Sequence, residues 1–255
     1  MTEKSGDVQS VSRALDLLTR LGSSDEGQRL SDLARATGLA VSTTHRLLTT
    51  MQQSGFVSFD PLRSEWHVGR EAFAAGAAYV QRRDFVAPAM AFLRRLRDES
   101  RETANLGILE DGQLVTLAQV ESREITRAIS PPGGRVAATC SAMGKALLAT
   151  WSDEQIALFC KRNGFRKLTP KSHRSLASLM ADIRLIRKRG YAVDDEEHVA
   201  GLRCVAAVVA AEGSDAICAI SVSGLANRLT STRASVVAGR VVAAARDFAE
   251  KIGLG

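Results

Sequence analysis

No apolar run in this chain approaches the roughly 20 residues that a membrane helix needs. The most apolar stretch, Val205 to Ala211, has the length of a strand. The opening segment, MTEKSGDVQS, is polar and no apolar segment follows it. A secretory leader is therefore not expected, and the expected place of work is the cytoplasm, without a membrane partner. CxxC pairs are absent, as is any His/Cys cluster at metal-ligand spacing. The four cysteines, Cys140, Cys160, Cys204 and Cys218, are expected as free thiols, with no metal and no cofactor. Internal repeats and low-complexity tracts are also missing. So is a basic excess near the N-terminus. Residues 1–80 hold 8 Lys and Arg against 9 Asp and Glu, a net charge of −1. Residues 81–255 hold 26 against 19, a net charge of +7. Bulk charge does not locate a DNA-binding surface here; any such contact must come from local geometry.

What is present is a chain of 255 residues with 45% apolar side chains, enough for one large or two modest domains. Val11, Ala14, Leu15, Leu17, Leu18 and Leu21 repeat at helical spacing. Gly22 and the polar run behind it end that helix. Ser31 precedes Asp32, Leu33 and Ala34, which reads as an N-cap with an acid in the first turn of a second helix. Gly38 ends that helix, and a third runs from about Val41 to Ser54. Two short helices joined by a tight glycine-containing turn form a helix-turn-helix. Phe56, Val57 and Phe59, a turn at Asp60-Pro61, then Trp66 and Val68 read as a hairpin, the wing of such a unit.

The second helix of a helix-turn-helix enters the major groove by its N-terminal residues. In this chain those residues are Ser42, Thr43, Thr44, His45 and Arg46. Short hydroxyls approach phosphates and base edges closely, and an arginine can take a guanine in bidentate fashion. Arg63, near the wing tip, is placed to reach a minor groove or a phosphate. Ser31 completes the candidate DNA-binding set.

From Gly69 an Ala-rich helical segment follows, which Pro88 breaks or restarts. Phe92, Leu93 and Leu96 then mark another amphipathic helix. Beyond residue 102 the pattern changes. TANLGIL, QLVTLAQV and EITRAIS are strand-like, with a turn at Asp111-Gly112, and PPGGRVAAT reads as a loop. SAMGKALLAT, SDEQIALFC and SLASLMADIRLIRKRG are helical, and GYAVDDEEHVAGL reads as a turn and an acidic loop. RCVAAVVAA and AICAISVSG form a two-strand hairpin, and a last helix covers about Thr230 to Lys251. The expectation is an α+β fold: one antiparallel sheet with helices packed around it.

LSDLARATGLAVSTTHRLLTTMQQSGFV, CSAMGKALLA and GYAVDDEEHVAGLRCVAA, in this order, resemble the IclR family of bacterial transcriptional regulators. The resemblance covers nearly the whole chain. It implies a winged helix-turn-helix domain over 8–70, a linker helix over 71–84 and a GAF-like effector-binding domain over 85–254. It also implies homodimers that can pair into tetramers on double-stranded operator DNA. It resembles the glyoxylate-responsive members in particular. In those, a small oxo-acid meets positions matching Ser141, Ala142, Met143, Asp194, Leu202, Cys204, Ser221 and Ser223. The residue types suit a small acid. Ser141 to Met143 open a helix, where free N–H groups attract a carboxylate. Ser221 and Ser223 alternate in a strand and share one side. Asp194 would repel an acid unless it meets a hydroxyl or a backbone donor, or is protonated. Two positions depart from the family's habit: Val208 stands where a proline is common, and Thr139 where a histidine often stands.

The implied function is a ligand-responsive regulator whose effector, glyoxylate or a related 2-oxo acid, alters operator binding. An aromatic acid such as protocatechuate is the alternative effector. An enzyme with Cys204 as nucleophile and His198 or His173 as base is the remote one.

Overall fold

Apolar periodicity and glycine stops organise the first half of the chain. The computed structural model describes residues 7–24, 26–123, 131–210 and 216–254. It divides into two units, Met1–Arg83 and Asp84–Gly255.

The first unit holds α1 (Gln9–Gly22), α2 (Leu30–Thr37), α3 (Val41–Gln53), a hairpin of β1 (Val57–Asp60) and β2 (Glu65–Val68), and α4 (Arg70–Gln81). Leu17 and Leu21 of α1 meet Leu33, Leu48, Val57 and Trp66 in one buried cluster. Gly38 takes a left-handed φ of 67° and lets α2 turn into α3 within a few residues. The N-cap of α2 is Arg29, not Ser31; Ser31 lies inside the helix's first turn and is exposed. In the hairpin, Phe59 pairs with Trp66, and Gln28 exchanges two backbone hydrogen bonds with Trp66. This ties the segment before α2 to the wing.

The second unit begins with α5 (Val86–Ser100), where Pro88 sits in the first turn and interrupts no helical hydrogen bond. There follow β3 (Thr103–Glu110), β4 (Gln113–Val120), β5 (Arg135–Ala137), a 3-10 turn (Ala138–Cys140), α6 (Ala142–Leu148), α7 (Asp153–Asn163), α8 (Leu176–Arg189), β6 (Ala192–Asp195), β7 (Leu202–Val209), β8 (Cys218–Leu225) and α9 (Ser231–Lys251). The six strands make one antiparallel sheet in the order β5-β4-β3-β8-β7-β6. Ser152 caps α7 in a reciprocal capping box with Gln155. The α+β architecture is the one expected.

Two segments differ from the sequence reading. Arg135–Ala137, read as loop, pairs with β4, and Ala192–Asp195, read as turn and acidic loop, pairs with β7. Both are edge strands, so each needs only one partner and carries little alternating pattern. Val208 lies within β7, opposite Ala219, and the strand runs past it. The strand-like EITRAIS lies outside the described residues.

Side-chain alternation distributes the packing. Cys204, Ala206 and Val208 of β7 and Ala219 of β8 turn towards the core shared by α6, α7 and α8. The alternate residues, including Val205, Ile220 and Val222, point the other way, and α5 and α9 contact those strands. Among the described residues, no helix is long and apolar enough to cross a membrane.

Gly69 is a sharp test of the first unit. A Cβ there would lie 2.2 Å from the Gly55 carbonyl oxygen and 2.8 Å from the Val57 nitrogen, both backbone atoms. Gly69→Ala is expected to cost about 1–3 kcal/mol, read as a lower Tm for this unit in a calorimetric scan. Gly22→Ala, at the end of α1 with nothing within 4 Å of the new methyl, should not lower the melt.

Candidate functional site

The sheet register brings polar residues from four strands to one place. Thr103 of β3 faces Ser223 of β8, Ser223 faces Cys204 of β7, and Cys204 faces Asp194 of β6. A second row runs Gln119–Asn105–Ser221 across β4, β3 and β8. The start of α6 closes over these rows. Gly107 permits this approach: a Cβ there would sit 3.1 Å from the Met143 methyl. Gly144 is tighter still, since its Cβ would lie 2.4 Å from the Ala138 carbonyl oxygen. The result is a small cavity of about 50 Å³.

All eight residues proposed from the resemblance line this cavity: Ser141, Ala142, Met143, Asp194, Leu202, Cys204, Ser221 and Ser223. Ser141 also caps α6, its Oγ accepting a hydrogen bond from the Gly144 N–H at 3.3 Å. Sequence reasoning missed Thr103, Asn105, Leu114, Thr116, Gln119 and Val136 as lining residues. It took His198 only as a possible base, yet His198 lines the cavity too. A weak signal existed for Thr103 and Asn105, polar residues alternating in an otherwise apolar strand. None existed for Thr116 and Gln119, which stand three apart in β4. A register shift between Leu106 and Gly107 inserts Leu117 opposite them and returns both to one face. Thr139 is not among the lining residues; it is buried in the 3-10 turn beside Cys140.

Asp194 is buried, and its Oδ1 accepts the Glu197 N–H at 2.7 Å and the His198 N–H at 3.4 Å. Burial, and then the neighbouring Glu197 charge, push its carboxyl up to about 7. Near neutral pH it is thus partly a neutral acid, which eases the conflict with an anionic ligand. Burial lowers the His198 imidazole, and its Nδ1 meets no hydrogen-bond partner among the described residues.

Behind this wall lies a charged cluster that the sequence reading did not contain. Lys145 of α6 is fully buried. Its Nζ donates to Asp182 Oδ2 at 2.6 Å, to the Val193 carbonyl at 2.7 Å and to Glu197 Oε1 at 2.5 Å. Burial works against the ammonium, but Glu197 and Asp182 outweigh it and hold the group charged. Asp182 is brought down to about 2: burial opposes this, and His173, Lys145 and Arg189 overcome it. His173 Nε2 stands 3.5 Å from both Asp182 and Glu197. His173, Asp182 and Glu197 are close enough together to share a metal ion. The Lys145 ammonium already supplies the positive charge between the two carboxylates.

In the first unit, Ser42, His45 and Arg46 are exposed on α3 and Thr43 is half-buried. Thr44 corrects the sequence reading. It is completely buried and its hydroxyl donates to the Ala40 carbonyl at 3.1 Å, so it serves the unit's own core and offers nothing to a groove. Arg63 lies in the exposed turn between β1 and β2, organised by Asp60 Oδ1, which accepts the Leu62 N–H at 2.8 Å.

Residues 10–61 match the IclR helix-turn-helix domain, and residues 77–252 match the bacterial transcriptional regulator IclR C-terminal domain. The chain belongs to the IclR family of transcriptional regulators. It is 39% identical to the acetate operon repressor of Salmonella typhimurium over 244 residues, 95% of this chain and 89% of that protein. Among solved structures, the Thermotoga maritima IclR superposes with a TM-score of 0.79 at 22% identity, covering 97% of this chain and all of that one. An IclR homologue from Microbacterium hydrocarbonoxydans, solved with 4-hydroxybenzoate, superposes with a TM-score of 0.77 at 19% identity, covering 95% and 98%. This regulator is therefore a ligand-responsive, DNA-binding protein and not an enzyme. The thiol chemistry agrees: burial raises the Cys204 thiol, and Asp194 adds to this, which disfavours a thiolate.

Two outcomes follow for the regulator. An unfolded Asp194 loses its proton near 3.8, whereas the folded one keeps it to about 7. The folded state thus binds more protons between these values, and Asp194's contribution weakens as pH rises from about 4 to 7. Asp194→Asn should flatten that part of a Tm-against-pH curve. Lys145→Met removes the cation from the buried Glu197 and one of the partners of the half-buried Asp182 and should cost about 3–5 kcal/mol, measured by denaturant unfolding at pH 7. Asp182 is held below its unfolded value, so its share of that stabilisation is complete above about pH 4 and is lost as pH falls towards 2.

Proposed function

We propose that this regulator senses a small 2-oxo acid, glyoxylate or a close relative, in the cavity between α6 and the sheet. The observation that carries this reading is the cavity itself, small, and with hydroxyls and one carboxyl set in a largely apolar lining. Its 50 Å³ accommodates about three to five waters, which suits a two- or three-carbon acid better than an aromatic one. The Ala142 and Met143 amides at the start of α6 and the Ser221 and Ser223 hydroxyls are the donors for the carboxylate. Asp194, when protonated, faces the carbonyl or its hydrate. Leu202 and Met143 form the apolar wall, and Cys204 packs between them and the serines.

The DNA-binding end of the reading rests on Ser31, Ser42, Thr43, His45, Arg46 and Arg63, all at least partly exposed. Arg46 is the candidate for base recognition, and the wing arginine for a phosphate or minor-groove contact. The regulator acts in the cytoplasm on double-stranded operator DNA, as a homodimer or a dimer of dimers. Effector binding changes operator affinity only to the extent that the effector prefers one arrangement of the protein over another.

Calorimetric titration of the full chain with glyoxylate, pyruvate and protocatechuate tests the effector. Saturable binding of the oxo-acids is expected, weakened about tenfold in Ser221→Ala by loss of one hydrogen bond to a charged group. Binding of protocatechuate alone overturns the oxo-acid assignment. Arg46→Ala should reduce discrimination between operator and random DNA by about 1–3 kcal/mol; equal loss on both would make Arg46 a phosphate contact.

A further inference from the structure

The cavity that takes an acid has no lysine or arginine among the described residues of its lining. Its ionisable side chains are Asp194, His198 and Cys204. Asp194 is 2% exposed. Two backbone N–H groups donate to its Oδ1, and among the described residues it forms no ion pair. The groups around it do not supply the missing positive charge. Lys145 of α6 bonds Asp182 and Glu197, not Asp194, and Arg189 and His173 stand against Asp182. Glu197, in the segment after β6, adds negative charge beside Asp194, and burial holds His198 towards its neutral form. Asp195 is paired with Arg203 and Lys171. The thiols of Cys204 in β7 and Cys140 in the 3-10 turn are raised by burial and stay neutral. The lining residues from β3, β4, β5 and β8 carry no ionisable group. Two carboxylates confined to one such site do not both ionise; one of them keeps a proton.

We propose that the effector site takes up an acid anion together with one proton from solvent, which settles on the Asp194 carboxyl and leaves again with the ligand. The inference rests on the effector reading above and adds to it the charge state in which the acid is bound. A 2-oxo acid is ionised across the neutral range, so the proton goes to the protein. The free Asp194 carboxyl, pushed up to about 7, is protonated at pH 6 and ionised at pH 8. A bound anion raises it further. Proton uptake per ligand is therefore close to zero at pH 6, about one half at pH 7 and close to one at pH 8. Affinity is level below pH 6 and falls about tenfold from pH 7.5 to 8.5. Above neutrality the regulator thus reads anion and proton together.

Counting protons is the test. The full chain is titrated calorimetrically with pyruvate and with glyoxylate at pH 6, 7 and 8, each in two buffers of different ionisation enthalpy. The dependence of the observed heat on the buffer gives the protons taken up per ligand. The wild type should show the rise with pH stated above. Asp194→Asn keeps an oxygen for the Glu197 and His198 N–H groups but cannot ionise. It should take up no proton at any of the three pH values. At pH 8 it should bind the oxo-acids about tenfold more tightly than the wild type, a gain that a merely structural role for Asp194 would not produce. His198→Gln should keep the uptake. Saturable wild-type binding without proton uptake at pH 8 overturns the proposal and leaves the effector reading standing. Uptake that survives in Asp194→Asn, or that is lost in His198→Gln, also overturns it. So does an Asp194→Asn protein that melts like the wild type but binds no oxo-acid, since the ionised carboxylate would then be the contact. The wild-type proton count and His198→Gln decide the matter even where Asp194→Asn fails to fold. A wild type that binds neither oxo-acid at any pH overturns the effector reading itself, and this inference with it.

Discussion

One buried ammonium holds the effector-binding unit together where it matters. Lys145 projects from α6 and meets Asp182 of α8, the Val193 carbonyl of β6 and Glu197 in the segment between β6 and β7. Three separate pieces of chain, α6, α8 and the 193–197 stretch, thus meet at one charge. Such a group is costly to bury and stabilises only when its partners are complete. That requirement makes it a constraint on geometry: α6 cannot shift against β6 or the 196–201 segment without leaving a charge unmatched. The same elements carry Ser141, Ala142, Met143, Asp194 and His198 into the cavity. The charge cluster lies behind the site and sets the position of its walls.

The cavity joins two kinds of polar order. On one side stand the Lys145 cluster and Asp194, whose Oδ1 is held by the Glu197 N–H. Glu197 therefore touches both: its side chain pairs with Lys145 and its backbone anchors Asp194. On the other side stand the hydrogen-bonded side chains of Gln119 and Asn105, which reach the serines. Between them lies the cavity, with Asp194 on one side and the Ser221 and Ser223 hydroxyls on the other.

The DNA-binding unit obeys a simpler rule. Its core is a single cluster around Leu33, Leu48 and Trp66, and α3 is shared between that core and solvent. Thr44 and Leu48 face inwards; Ser42, His45 and Arg46 face outwards. Helical periodicity alone divides them, because residues four apart share a face.

The local order of this protein was legible in its residues. The helix-turn-helix, the wing, the capped helices and the long strands follow from periodicity, caps and glycine stops, which are properties of neighbours in sequence. The eight cavity residues named from resemblance do meet in space, yet their spacing alone did not require it. Other features lay beyond local pattern. Ser31 looked like a cap, but the chain entered the helix two residues earlier, at Arg29. Thr44 looked like a groove-facing hydroxyl, but it falls on the buried face. The short edge strands β5 and β6 pair on one side only and leave almost no signature. Lys145 would be taken for a solvent-exposed cation in any reading of the sequence. Only the tertiary structure could bury it, because its partners lie 37 and 52 residues further along the chain. The face shared by Thr116 and Gln119 was likewise decided by an extra residue in the pairing of two strands. Short-range preferences determined the elements. Register and charge pairing between distant segments determined the site.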